Sequence, residues 1–396
     1  MITDSEIEEK ATEFSILPNH VEKDYVHSWI LKAISSRPEL KRLLVLKGGN
    51  ALRKCYFPDT RFSKDLDFST KEHISKDFLE IELREVCTIV ELQTGVKFLD
   101  RTIIKDKELL IEQIDALEAR IYFKGFYNEE QLILKTQFDI TQFDKIYLPI
   151  QERPILHPYS DANDCKGTIN CQKAEEILAS KLTTLLHRRK ASDLFDLLYS
   201  VLIKGENNVN KRELIITFLK KSIFEPRPED ARRELLAVSL IDYKESWTSL
   251  LVPAISFLTF EFVIENFSRL INSLFDLIIV STVFTPGIAS QIRRSIGTQI
   301  VNFSYFPGNI RRTILTAGRA NKMIKMIYNG FIRFVEPYKL EYYVRKRDGI
   351  GNEYFWGWDT TGGSSGKIGI KRFFCDKIQS AILTDQSYTP RFPVEI

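Results

Sequence analysis

The sequence predicts an α+β chain in three parts: a mixed sheet clad in helices, a helical middle region and a small C-terminal β domain. Three observations carry this. In the first half, short apolar or alternating runs bounded by glycines interleave with helical periodicity. From Asn210 to Gly330 the pattern is mostly helical. From Phe331 onward, short aromatic runs are separated by Gly349, Gly351, Gly357, Gly362, Gly363, Gly366 and Gly369, as in strands joined by tight turns. The 396 residues exceed one small core and fit two or three domains, placed here at 1–205, 206–325 and 326–396. The polar run Gly205-Glu206-Asn207-Asn208 marks the first boundary.

Taken in order, Ile7 to Ser36 is helical, with Ile16, Val21, Tyr25 and Trp29 recurring at helical spacing. Leu43 to Leu46 is a short buried strand ending at Lys47-Gly48-Gly49, and Asn50 to Tyr56 opens a helix. Asp65 to Phe68 alternates polar and apolar, as a strand does when one face lines a site. Ile74 to Leu92 reads as helix; Ala119 to Phe126 and Gln131 to Ile140 read as strands. Cys171 to Leu202 reads as one or two helices with Ala174, Ile177, Leu178, Leu182, Leu185 and Leu186 on one face.

Composition excludes several classes. Apolar residues make up 44% and charged residues 28%, ordinary for a globular chain, so wholesale disorder is not expected. A net charge of +3 makes no whole-chain argument for nucleic acid. The five cysteines form no C-x-x-C pair, which points to free thiols in a reducing compartment rather than a disulfide or zinc framework. The acidic N-terminus carries no signal-peptide pattern. The most apolar stretch, Leu250 to Phe284, is interrupted by Pro253, Glu261, Glu265, Arg269 and Asp276. A bilayer span needs about 20 uncharged residues, so buried helices, no membrane partner and a cytoplasmic location are expected.

Chemistry concentrates in Lys47-Gly48-Gly49-Asn50-Ala51-Leu52 followed by Arg61-Phe62-Ser63-Lys64-Asp65-Leu66-Asp67-Phe68. Aspartates at i and i+2 of a strand project from one face, where their carboxylates can share Mg²⁺. Paired glycines let backbone N–H groups approach a triphosphate with no Cβ in the way. These are the parts that nucleotidyl transfer requires. A lone Asp-x-Asp or Gly-Gly would more often be a turn; the ordered combination is what points to a site. Asp139, in Gln137-Phe138-Asp139-Ile140, is the candidate third carboxylate, though a solvent-facing strand residue would look the same. Further on, Lys181 lies on the polar edge of an apolar helix, well placed for a phosphate. Asp193 and Asp196 share a face of the next helix. Surface ion pairs of a helical hairpin are the plain alternative there.

With these residues in view, the first half of the chain resembles the AbiEii/AbiGii nucleotidyltransferase toxins, members of the polymerase-beta-like superfamily. The matching positions are Gly48, Gly49, Leu52, Arg61, Ser63, Asp65, Asp67 and Phe68, then Lys181, Leu182, Leu185, Arg188, Asp193, Asp196 and Leu197. The resemblance implies a nucleotidyltransferase-like sheet and metal binding by Asp65 and Asp67; our own reading adds Asp139, completing the metal site or acting as base. The resemblance also implies NTP phosphate contacts from Gly48, Gly49 and Lys181, and a nucleotide or structural role for Asp193 or Asp196; Asn50, Arg61 and Ser63 are further nucleotide-binding candidates by their place in the motif. Two positions depart from the family pattern. Asn50 replaces a usual Thr or Ser, turning a hydroxyl contact to phosphate into an amide contact. Ser192 stands where the family has Arg, a charge that Arg189 or Lys190 would have to supply.

Between Leu277 and Val335 there is no Asp or Glu. Arg293, Arg294, Arg311, Arg312, Arg319, Lys322, Lys325 and Arg333 fall there with Tyr305, Phe306 and Tyr328. Such a run suits nucleic-acid phosphates, or else pairs with acids such as Glu229, Asp230 and Glu234. The C-terminal part resembles a WYL domain, a small SH3-like sensing fold, in Met326-Ile327-Tyr328, Arg333 to Tyr338, Tyr354 to Asp359 and Ile370 to Phe373. It lacks the Trp-Tyr-Leu triplet itself. Arg333, Lys371 and Arg372 with Tyr354 would line a ligand groove, or the aromatics would form the core.

The expected function is therefore transfer of a nucleotide from NTP to a hydroxyl, with Mg²⁺ as cofactor and Mn²⁺ as the substitute. An RNA 3′ end, tRNA in particular, is the favoured acceptor and a protein side chain the second. The setting would be a toxin–antitoxin or phage-defence system, with a cognate antitoxin as partner. The alternative is a catalytically idle nucleotide- or nucleic-acid-binding regulator that uses the basic and WYL-like regions.

Overall fold

The structure, a computed structural model, describes residues 1–106, 116–127, 132–188, 190–205, 208–222, 224–225, 227–283, 306–344, 351–363 and 366–396. The predicted basic residues Arg189, Arg293 and Arg294, together with Tyr305 and Gly349, lie outside the described residues. The chain divides into two compact units. One comprises Met1–Lys181, Ala191–Thr217 and Tyr243–Phe267, the other Leu182–Lys190, Phe218–Asp242 and Ser268–Ile396.

In the first unit, helix α1 (Asp4–Phe14) starts where the Thr3 hydroxyl accepts from Glu6 N–H, and stops at Ser15 in the left-handed region. Helix α2 (Pro18–Ser36) opens on a proline, whose missing N–H costs nothing at that position, and buries Val21, Tyr25, Trp29 and Ile30. The single predicted helix is thus two, because Ser15 in the left-handed region ends α1 and extended Leu17 before Pro18 starts α2. Helix α3 (Pro38–Leu43) leads into β1 (Val45–Lys47). The glycine turn follows as one α turn, α4 (Gly48–Ala51), running into a π turn over Leu52–Tyr56. Next come β2 (Asp65–Ser69), α5 (Lys76–Thr94), β3 (Ile103–Asp106), β4 (Ala116–Lys124) and β5 (Ile133–Thr141). Helix α5 is capped by Ser75 and closed by Gly95 at φ 80°. Strands β6 (Gln151–Pro154) and β7 (Thr168–Cys171) precede helices α6 (Ala174–Leu185) and α7 (Ala191–Leu198). Cys171 therefore ends a strand rather than starting the helix the sequence suggests; it pairs in parallel with Leu46 of β1.

These strands form one mixed seven-stranded sheet in the order β3-β4-β5-β2-β1-β7-β6. Strand β2 is central, antiparallel to β1 and parallel to β5. Its alternation is that of a strand with one buried face. Leu66 and Phe68 are fully buried, with Phe68 stacked on Phe138 at 6.3 Å, while Asp65 and Asp67 stay partly exposed on the opposite face.

The rest of the chain adds α8 (Lys211–Lys221), α9 (Pro228–Leu236), α10 (Lys244–Trp247) and α11 (Phe260–Val283). The apolar run from Leu250 is thus helical mainly from Phe260 on. Among the described residues no helix is long and apolar enough to cross a membrane. Helix α12 (Gly308–Arg319) precedes β8 (Lys322–Tyr328), β9 (Phe331–Val344), β10 (Gly351–Asp359), β11 (Gly369–Phe374) and β12 (Ile378–Ser387). They make a separate five-stranded antiparallel sheet, ordered β11-β10-β9-β8-β12. Strand structure thus begins at Lys322, inside the stretch predicted to be helical. Its core gathers Ile310 and Ile314 of α12 with Ile324, Val335, Leu340, Phe355 and Phe373.

Several predicted basic residues are spent inside the second unit. Arg311 is buried between Glu353 and Glu234, each at 2.9 Å, and donates to the Leu186 carbonyl. Arg333 is buried against Asp359, which also takes Lys371 at 3.0 Å. Arg372 lies over the Tyr354 ring at 4.8 Å. A cavity of about 830 Å³ opens elsewhere in this unit, lined by Phe334, Glu336, Tyr388 and Arg391.

Candidate active site

Backbone register builds the site. Directly paired residues on neighbouring strands share a face. One row therefore reads Lys105, Glu118, Asp139, Asp67, Lys47 across β3, β4, β5, β2 and β1. The next reads Arg120, Gln137, Asp65. The structure thus sets Asp65, Asp67 and Asp139 on one face of three consecutive positions of the sheet, with Glu118 beyond Asp139. The Gln137 amide donates to Asp139 at 3.3 Å. Burial raises the Asp67 carboxyl above its ordinary value; Lys47 and Lys181 oppose that shift, and the like charges of Asp139 and Asp65 add to it.

The glycine turn packs directly on this face. Gly48 has φ 72°, where a side chain is strained, and an added Cβ would strike the Asp67 carboxylate, lying 3.0 Å from its Cγ and 3.1 Å from its Cβ. At Gly49 an added Cβ would meet Arg61 Nη2 at 2.7 Å and Ser63 Oγ at 3.0 Å. Asn50 is fully buried. Its amide nitrogen donates to the Asp65 carbonyl at 2.7 Å and lies 3.4 Å from His27 Nδ1. The amide thus fixes the β2 backbone in this structure.

Behind the turn sits a buried ionic cluster. Asp193 and Asp196, three residues apart on α7, both reach Lys181 Nζ at 2.8 Å. Asp196 also takes Arg61 through Nε and Nη2, each at 2.7 Å. Such a fork is the strong form of ion pair. Burial works against the Lys181 charge, yet Asp193 and Asp196 overcome it and hold the ammonium above its ordinary value. Lys181 thereby links the α7 carboxylates to the Asp67 end of the site.

The model of the nucleotidyl transferase AbiEii toxin family, of type IV toxin–antitoxin systems, matches residues 29–260, more than half of the chain. The chain belongs to the AbiEii family. It is accordingly a nucleotidyltransferase of the toxin type, and enzymes of this kind use an NTP and a divalent metal. Among solved structures it is similar to MenT4, a nucleotidyltransferase toxin of Mycobacterium tuberculosis H37Rv. The identity is 17% and the TM-score 0.46, over 69% of this chain and 90% of that one. It is also similar to JHP933 of Helicobacter pylori, at 17% identity and TM-score 0.40, over 69% of this chain and 97% of that one. No curated protein matches.

Within this AbiEii chain, no three His, Cys, Asp or Glu side chains among the described residues are closed around one point as a finished metal cage. By chemistry, Asp65, Asp67 and Asp139 are hard oxygen donors of the type a divalent cation takes. They occupy adjacent positions of one face, and a positive charge there would offset the burial and like charges that raise Asp67.

Several neighbours of the AbiEii motif escape a motif-based reading. Lys47 borders Asp67 and donates to Thr141 and Asp144 at 2.9 Å. Lys23 of α2 lies beside Asp65. Burial pushes its ammonium down to about 8; Lys135 and Lys64 push the same way, and Asp65 opposes them. Glu118, Arg120 and Gln137 alternate along β4 and β5, and that period-2 pattern was the available signal. Nothing in the sequence places α2 over the sheet.

Proposed function

We propose that this chain transfers a nucleotide from an NTP to a hydroxyl of an RNA 3′ end, tRNA in particular, in a Mg²⁺-dependent reaction. The observation that carries the reading is the register that sets Asp65, Asp67 and Asp139 on one face, with Gly48 so near that an added Cβ would strike Asp67. In this reaction the acceptor oxygen attacks the α-phosphorus, the bond to the β-phosphate oxygen breaks, and pyrophosphate leaves. Asp65 and Asp67 would hold the cation, and Asp139 would complete the set or accept the hydroxyl proton. A divalent cation there would supply neutralisation of phosphate charge and a lower pKa for the attacking hydroxyl. Gly48 and Gly49 receive the triphosphate on backbone N–H groups, aided by Ser63 and Lys181, while Asp193, Asp196 and Arg61 fix the position of Lys181. The biological setting we propose is toxicity within a toxin–antitoxin or phage-defence system in the cytoplasm, restrained by a cognate antitoxin. The C-terminal sheet serves as a WYL-like sensing module.

The test is incubation with each labelled NTP, Mg²⁺ and total RNA or lysate protein. Labelled RNA is expected, with loss of label in Asp65→Ala and Asp67→Ala. Label on protein would replace the RNA acceptor by a side-chain hydroxyl. Absence of transfer, or transfer indifferent to both substitutions, refutes the reading in favour of an idle binding protein.

A further inference from the structure

The two ends of the carboxylate face differ in what surrounds them. At the Asp67 end stand Gly48 and Lys181, and Lys181 is already held by two carboxylates. At the Asp65 end stand Lys23, Lys64 and Lys135, with His20 close to Lys23 and Lys64. Among the described residues none of these three lysines has a carboxylate at ion-pair distance. Lys135 donates to the Gln137 amide oxygen at 3.4 Å. Lysines this crowded repel one another, and Asp65 is a single carboxylate against three of them, so the group keeps a net positive charge that favours an anion.

The arrangement also has a direction. Asp65 pairs with Gln137, and Lys135 lies two residues further along β5 on the same face, about 7 Å at the rise of a strand. Lys135 pairs with Tyr122 of β4, a partly exposed ring covered by Arg101 at 5.1 Å. Arg120, the β4 partner of Gln137, is held by Glu118 through Nη2 at 2.5 Å, while its Nε is buried without a hydrogen-bond partner. Cations leading away from a reaction centre, with an aromatic face among them, are the recognition surface of single-stranded nucleic acid, where phosphates meet lysines and bases stack on rings.

We infer that Lys23, Lys64 and Lys135, with Tyr122 beside them, form the docking track for the backbone phosphates and a terminal base of a single-stranded 3′ end. That track delivers the terminal hydroxyl to the Asp65 side of the site, while the NTP enters from the Gly48 side. The inference rests on the acceptor reading above, but its test reads binding and needs no turnover.

A fluorescent single-stranded oligoribonucleotide with a free 3′ hydroxyl is titrated onto the full chain without NTP, at several salt concentrations. Each single-strand phosphate contact contributes about 0.7 to the salt slope. The combined Lys23→Gln, Lys64→Gln, Lys135→Gln variant is therefore expected to lose about 2 units of slope and bind about 50-fold more weakly near 0.15 M salt. Lys64→Gln alone, at an exposed side chain, is expected to lose about 4-fold and guards against misfolding of the combined variant. Affinity for a labelled NTP with Mg²⁺, measured separately, is expected to stay within about twofold. Unchanged RNA affinity and slope in both variants overturns the inference. So does an equal loss of NTP affinity, which would assign the lysines to the triphosphate. Failure of the transfer assay alone strikes only the acceptor reading.

Discussion

Replacing Gly48 by alanine tests whether the glycine turn and the carboxylate strand form one unit. The perturbation has two parts. At φ 72° the backbone is left-handed, which costs an L-residue roughly 1–2 kcal/mol. The new methyl also meets Asp67 along its length: the carboxylate oxygen is closest, but Cγ at 3.0 Å and Cβ at 3.1 Å are also too near. Rotating the carboxylate moves the oxygen and leaves the Cβ contact, so β2 or the turn must shift by a few tenths of an ångström or more. A displacement approaching 1 Å costs roughly 100-fold in rate. Gly48→Ala is therefore expected to lower stability by about 2 kcal/mol and slow nucleotidyl transfer by about two orders of magnitude. Gly49→Ala is the control. Its φ is not in the left-handed region, so it lacks the backbone strain, though an added Cβ still meets Arg61 Nη2, held by Asp196, and Ser63; a smaller loss of stability is expected. The assays are thermal melting and initial rates with labelled NTP. A Gly48→Ala protein that melts and reacts like the parent, or one that melts no lower than Gly49→Ala, refutes the argument.

Asp67→Asn separates function from stability. A carboxyl whose folded-state pKa is raised binds its proton more tightly in the fold, so stability falls as pH rises through the window above the ordinary value, and the ionised group is a net cost at neutral pH. The metal-free variant is expected to melt above the parent at pH 7, with the gap shrinking toward pH 4, and to transfer nothing; a lower melting temperature sinks the crowding argument. Asp196→Ala strips Arg61 of its fork and Lys181 of one partner inside a buried cluster, an expected loss of roughly 3–5 kcal/mol in denaturant unfolding. A change under about 1 kcal/mol would mean water replaces the carboxylate freely. His187 is pushed down to about 3 by burial and by Arg311 and Lys339, so it stays neutral in the fold. A depressed histidine contributes stability present above its ordinary value of 6.5 and lost as pH falls toward 3. At pH 5 that is roughly 2 kcal/mol, seen as urea unfolding at lower concentration than at pH 7. His187→Gln is expected to flatten this dependence, and equal acid losses in parent and variant would exclude His187 as its source.

The sequence made the centre of the site legible and left its surroundings dark, for a physical reason. Gly48-Gly49 and Asp65-x-Asp67 announce themselves because close backbone approach and period-2 projection restrict residue choice locally. Asp139 was readable as a carboxylate on a strand; its register against Asp67 depends on how β5 docks beside β2, a contact across more than seventy residues. Asn50 reads as a substitute ligand, while its amide is turned inward on the Asp65 carbonyl. Lys23 sits on a helix recognised from its apolar stripe, but an apolar stripe says nothing of what the polar flank faces. Short strands such as Gln151–Pro154 and Thr168–Cys171 lack the length for a periodicity signal. The basic run near Arg311 shows the converse: its acids, Glu234 and Glu353, are remote in sequence and adjacent in space.

Strand β2 has hydrogen-bonded neighbours on both sides within the seven-stranded sheet, so its amides have no open edge from which to fray. Warming should therefore loosen the outer strands and loops well before the distance between the two aspartates changes. Heat inactivation of the catalytic half is expected to arrive together with its cooperative melting, and amide exchange at Leu66 and Phe68 should report the global opening rate of that half.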